Sequence, residues 1–75
     1  MKIINSKPNG EWVLVRLASK QWLEHLVNAY TKAGADEVVC RKQIYNNELP
    51  PLEPEYEIYI KGTFDKNTLE KEIFN

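Results

Sequence analysis

The sequence predicts an α+β fold: four strands and two helices in the order ββαββα, built as a two-layer sandwich with a four-stranded antiparallel sheet and both helices on one face. Three observations carry this. A helical apolar stripe runs through residues 20–33 between Ser19 and Gly34. The stretch "YEIYIKG" alternates with a period of two. A second helix start follows at Asp65. Seventy-five residues are enough for one domain, residues 1–75, with one small core.

Residues 2–5, "KIIN", read as a first strand, and "SKPNG" as a turn, because Pro8 fixes φ and Asn9-Gly10 tolerates positive φ. Residues 11–18, "EWVLVRLA", read as a second strand, paired with the first in a hairpin. Ser19 suits an N-cap. At 100° per residue, Leu23, Leu26, Val27 and Tyr30 share one face, with Trp22 and Ala33 at its flank. Gly34 ends the helix as the residue able to take positive φ.

Val38, Val39, Ile44 and Tyr45 favour a third strand within residues 36–46. Pro50, Pro51 and Pro54 remove backbone donors, so residues 47–55 read as a stiff loop. Residues 56–62 form the fourth strand. In the last helix Asp65 is the N-cap, while Phe64 and Leu69 have the spacing of a hydrophobic staple.

This order implies a split β-α-β unit. The fourth strand inserts between the second and third, and the first pairs with the second, giving sheet order 1-2-4-3. The layout resembles a permuted ferredoxin-like fold, with its last strand moved to the N-terminus. The expected core row is Val13, Val15, Leu17, Val38, Cys40, Ile44, Tyr56, Ile58 and Ile60. Two helices cover one face only, so the other is open to solvent. That face is expected to carry Trp12, Leu14, Arg16, Arg41, Tyr45, Tyr59 and Lys61, together with Val39. Strand 3 is ambiguous, since Lys42 shares the parity of Cys40; a bulge or an edge charge would accommodate it.

The chemistry-bearing residues are few. His25 lies about 120° from the middle of the apolar stripe, on the polar side of the first helix, and is expected to be solvated. Cys40 is the sole cysteine, which excludes an internal disulfide, and is expected to act as a small buried hydrophobe. Glu48, Glu53, Glu55 and Glu57 read as solvating charges around the Pro-rich loop. Gly10, Gly34 and Gly62 form no phosphate-binding loop. No catalytic or metal-binding constellation emerges, no cofactor is implied, and the chain is expected not to be an enzyme.

A net charge of -1 gives no bulk footprint for duplex nucleic acid. The first residues hold no apolar run long enough for a secretion signal, and no stretch approaches a membrane span, so a cytoplasmic protein is expected. Trp, Tyr and Arg are the residue types that dominate protein interfaces. The open face is therefore expected to bind protein, either a second copy or a host protein, as would suit a phage-encoded inhibitor or modulator. The alternative is single-stranded nucleic acid stacking on Trp12 and Tyr59. Lys61-Gly62 begins an RNA-recognition signature, but Thr63 stands where its aromatic belongs.

Overall fold

The computed structural model describes residues 2–42 and 55–74. The elements are β1 (Ile3–Ile4), β2 (Val13–Ala18), α1 (Lys20–Lys32), β3 (Glu37–Lys42), β4 (Tyr56–Lys61) and α2 (Lys66–Phe74). They form an α+β fold with one mixed four-stranded sheet in the order β1-β3-β4-β2.

The split unit is present: β4 is antiparallel to both β2 and β3, so β2 and β3 run parallel with α1 as their crossover. The expected hairpin between the first two strands is not. β1 pairs parallel with β3, Ile3 opposite Cys40, at the far edge of the sheet from β2. The Cys40 amide donates to the Lys2 carbonyl at 3.0 Å. The physical reason is the connection. Residues 5–12 are longer than a tight hairpin loop, which is two to five residues in most cases. The Pro-Asn-Gly turn bends the chain without fixing which edge it reaches. The order is thus neither 1-2-4-3 nor that of a permuted ferredoxin-like sheet.

Helix ends follow local chemistry. The extended backbone of Ser19 opens α1, and its carbonyl accepts the Trp22 amide at 3.1 Å. At the other end, Gly34 takes φ +111. Its amide donates to Thr31 O, and the Ala35 amide to Tyr30 O, the two bonds of a Schellman motif. Asp65 caps α2: its carboxylate accepts from the Asn67 amide at 3.2 Å and the Thr68 hydroxyl at 2.7 Å.

The core lies between the helices and one face of the sheet. Leu23, Leu26, Val27 and Tyr30 of α1 and Leu69 of α2 meet Cys40, Tyr56, Ile58 and Ile60. Phe64 packs edge-on against Tyr30, with ring centroids 5.2 Å apart. Val15, Val38 and Ile73 pack at the margin. β3 is regular from Glu37 to Lys42, and Lys42 is exposed at its end. Ile44, Tyr45 and residues 47–54 of the Pro-rich loop lie outside the described residues.

The irregularity falls in β2 instead. Leu14 lies opposite Tyr59, but Arg16 lies opposite Ile58, so Val15 is inserted as a bulge. A bulge puts two residues against one and reverses the face of everything after it. Ala18, opposite Tyr56, is therefore on the helix face and buried. Leu17, opposite Glu57, leaves the expected core row for the open face. Val13 keeps the helix face yet remains exposed.

Candidate interaction surface

The face turned away from the helices is set by the residues opposite one another in the three long strands. Val39 pairs with Tyr59, Arg41 with Glu57, Leu14 with Tyr59 and Leu17 with Glu57. None of these six belongs to the core cluster around α1 and α2. Tyr59 is only 3% exposed and Val39 is buried beside it. Leu14 and Leu17 are 46% and 47% exposed on the neighbouring edge strand. The surface thus grades from a covered apolar centre to a pair of uncovered leucines.

One polar cluster interrupts it. Arg41 Nη1 donates to Glu57 Oε1 at 2.7 Å, and the Tyr59 hydroxyl donates to the same oxygen at 3.3 Å. The Glu57 hydrogen bond is the main reason that Arg41 holds its proton more firmly than a free guanidinium. Arg41 Nε is buried and finds no acceptor among the described residues. Such an orphaned donor is costly unless something outside the described residues satisfies it.

Of the residues expected on this face, Leu14, Arg41, Tyr59 and Lys61 lie there, with Lys61 half-buried and opposite Glu37. Tyr45 is outside the described residues. Trp12 precedes β2 and is half-buried, so it is not an exposed anchor. Arg16 is displaced by the bulge to the helix side. Its charge is felt there by Tyr30, whose hydroxyl burial raises in pKa and Arg16 partly lowers again. Leu17 replaces Arg16 on the open face. An alternating pattern carries no sign of that exchange, because both rows of β2 are apolar.

A second surface went unread in the sequence. Trp22, His25 and Leu26 of α1 and Ile73 and Phe74 of α2 line an apolar groove of about 280 Å³. Trp22 is 55% exposed and Phe74 83%. His25 is not on a solvated flank: it is half-buried, and its Nε2 is 3.1 Å from the Ile73 carbonyl near the end of α2. The Trp22 ring packs edge-on to it. The second helix covers the side of α1 that periodicity alone marks as polar. The i, i+3, i+4 spacing of Trp22, His25 and Leu26 is the signal that places these three on one side of α1.

Cys40 is fully buried, and burial pushes its thiol up to about 11, which removes the thiolate a nucleophile needs. Among the described residues, no group of three or more His, Cys, Asp or Glu side chains is placed to hold a metal ion. None of the described helices is long and apolar enough to cross a membrane. Comparison with protein-family models, curated proteins and solved structures finds no match.

Proposed function

We propose that this chain is a non-catalytic protein-interaction module that binds through the open face of its sheet, with Leu14 and Leu17 as anchors. The carrying observation is that pair: two half-exposed leucines on one face of an edge strand, continuous with buried Val39 and Tyr59. Apolar side chains grouped in this way favour an apolar partner surface. Arg41 Nε, which has no acceptor among the described residues, would add a polar contact if a partner supplied one. A protein offers both. Single-stranded nucleic acid fits less well, since base stacking needs uncovered rings on the central strands. Tyr59 is covered, and Arg41 is already engaged by Glu57.

The test is comparative capture from a lysate of the source cells. Leu14→Asp/Leu17→Asp is expected to lose proteins that wild type and Trp22→Asp/Phe74→Asp retain. Retention by the sheet variant, with loss by the helix variant, would move the site to the α1–α2 groove and overturn the reading.

A further inference from the structure

α2 is attached to the rest of the fold through one neighbour. Among the described residues its backbone comes close to α1 and to no strand, whereas α1 comes close to β2, β3 and β4. Of its nine residues only Leu69 is buried, with Ile73 half-buried, while α1 buries five. We propose that α2 is a strap, latched near its C-terminal end by His25, that opens as one unit while α1 and the sheet stay folded. The protein then alternates between a closed and an open state. This goes beyond the sheet-face reading and stands independently of it.

Two stripes of α1 are covered. Leu23, Val27 and Tyr30 belong to the core against the sheet. At 100° per residue His25, Ala29 and Ala33 form a second stripe, about a third of a turn away. Both ends of this stripe touch the α2 segment. The Asp65 amide donates to the Ala33 carbonyl at 2.8 Å, and His25 Nε2 donates to the Ile73 carbonyl at 3.1 Å. A carbonyl only accepts, so Nε2 carries the proton in this bond. The two helices are therefore antiparallel. Ala29, 1% exposed, lies midway along the stripe, where the spacing brings Leu69 opposite it.

The attachment is uneven along α2. Just before it the chain is pinned twice, by the Asp65–Ala33 bond and by Phe64 packed edge-on against Tyr30. Beyond Asp65 the ties are Leu69, Ile73, the His25 bond and an ion pair between Lys32 and Glu72 at 3.4 Å. That pair is too exposed to add much. The hinge therefore falls at Asp65, and the C-terminal end is the one that lifts. A nine-residue helix is shorter than the ~12–15 residues at which isolated helices become marginal in water. Lifting and melting are hence one event, an order–disorder step. It uncovers His25 and Ala29 and leaves the pairing of β2, β3 and β4 intact, since no residue of α2 takes part in it.

Native-state hydrogen exchange of the full chain, measured against urea, tests this. The amides of residues 69–73 are expected to share one opening curve and, without urea, to exchange about tenfold or more faster than those of α1 and β4. Their urea slope is expected to be finite but less than about half the global slope, because less surface is exposed. Exchange independent of urea would mean fraying of single residues, and the same rate and slope as α1 would mean global unfolding; either result overturns the proposal. His25→Ala removes the bond to Ile73 and is expected to speed exchange in α2 by about three- to tenfold, the effect of one hydrogen bond. Unchanged exchange in that variant overturns the latch. A second readout is chemical. In Ala29→Cys the introduced thiol is expected to react with a thiol reagent about tenfold or more faster than Cys40, which only opening of the sheet layer exposes. Equal rates at the two thiols overturn the proposal.

Discussion

Replacing Ile58 and Leu17 in turn by alanine tests the bulge on which the face assignment rests. Regular alternation along β2 would make both core residues. With Val15 inserted, Ile58 faces the helices at 0% exposure and Leu17 faces solvent at 47%. Ile58 sits in β4, flanked by strands on both sides. Its truncation loses the transfer free energy and leaves a cavity, together about 2–5 kcal/mol. Full burial of a leucine is worth about 1.5–3 kcal/mol, and Leu17 realises roughly half of that. Its truncation opens no enclosed cavity, so about 1 kcal/mol is expected. Total stability is about 0.05–0.15 kcal/mol per residue, or roughly 4–11 kcal/mol for this chain. Ile58→Ala therefore removes a large share and Leu17→Ala a small one. Urea unfolding followed by far-UV circular dichroism separates them. With a slope near 1 kcal/mol per molar urea, midpoints should differ by about 1–4 M. Equal losses in the two variants would refute the bulge and return Leu17 to the core.

The Asp65 carboxylate is held below its ordinary value of 3.8, first by the Thr68 hydroxyl and then by the Asn67 amide. A depressed folded value means that the cap contributes fully above 3.8 and is lost as pH falls through the lower folded value. Helix signal should decline in that acid window, and Asp65→Asn should remove most of the dependence; an unchanged acid profile would refute the cap. Cys40 has its folded value raised from 9.0 to about 11, so its contribution to stability fades as pH rises through that interval. A thiol reagent should label it slowly in the native state and rapidly in urea, and rapid native labelling would refute its burial. Gly62 has φ +90, and a Cβ there would stand 2.5 Å from Asp36 Oδ2. Gly62→Ala should cost more than about 1 kcal/mol in the same urea assay. Asp36→Ala in that background should recover part of it, and a neutral Gly62→Ala would refute the strain.

Boundaries were legible where local chemistry sets them. Ser19 and Gly34 bracket α1, Asp65 starts α2, and the alternation of residues 56–61 marks β4. Long-range choices were not. Nothing in Ile3–Ile4 distinguishes pairing with β2 from pairing with β3, because two apolar residues fit either edge. His25 was misplaced because a one-helix projection omits the second helix, whose Ile73 carbonyl reaches it. Arg16 and Leu17 were exchanged between faces because one inserted residue inverts parity, and "VLVRLA" offers apolar residues in both rows. Of the expected surface, the residues on β3 and β4 kept their places, since neither strand is irregular where they pair. Those beyond the bulge did not.

The bulge also changes what the surplus of apolar residues in β2 means. Without it a whole row, from Trp12 through Arg16, would lack a role. With it, Val15 and Ala18 belong to the helix side and the surplus narrows to Leu14 and Leu17. A chain of this size buries only about 60% of its unfolded surface, so apolar area left in water is area withheld from a small core. Leucine at those two positions stabilises the isolated fold by less than it could elsewhere. Each square ångström of apolar surface buried is worth about 25 cal/mol, so a partner that covered the two leucines would gain what folding leaves exposed. The bulge aligns the two leucines, so the same inserted residue that takes Leu17 out of the core puts it on the face that Leu14 occupies.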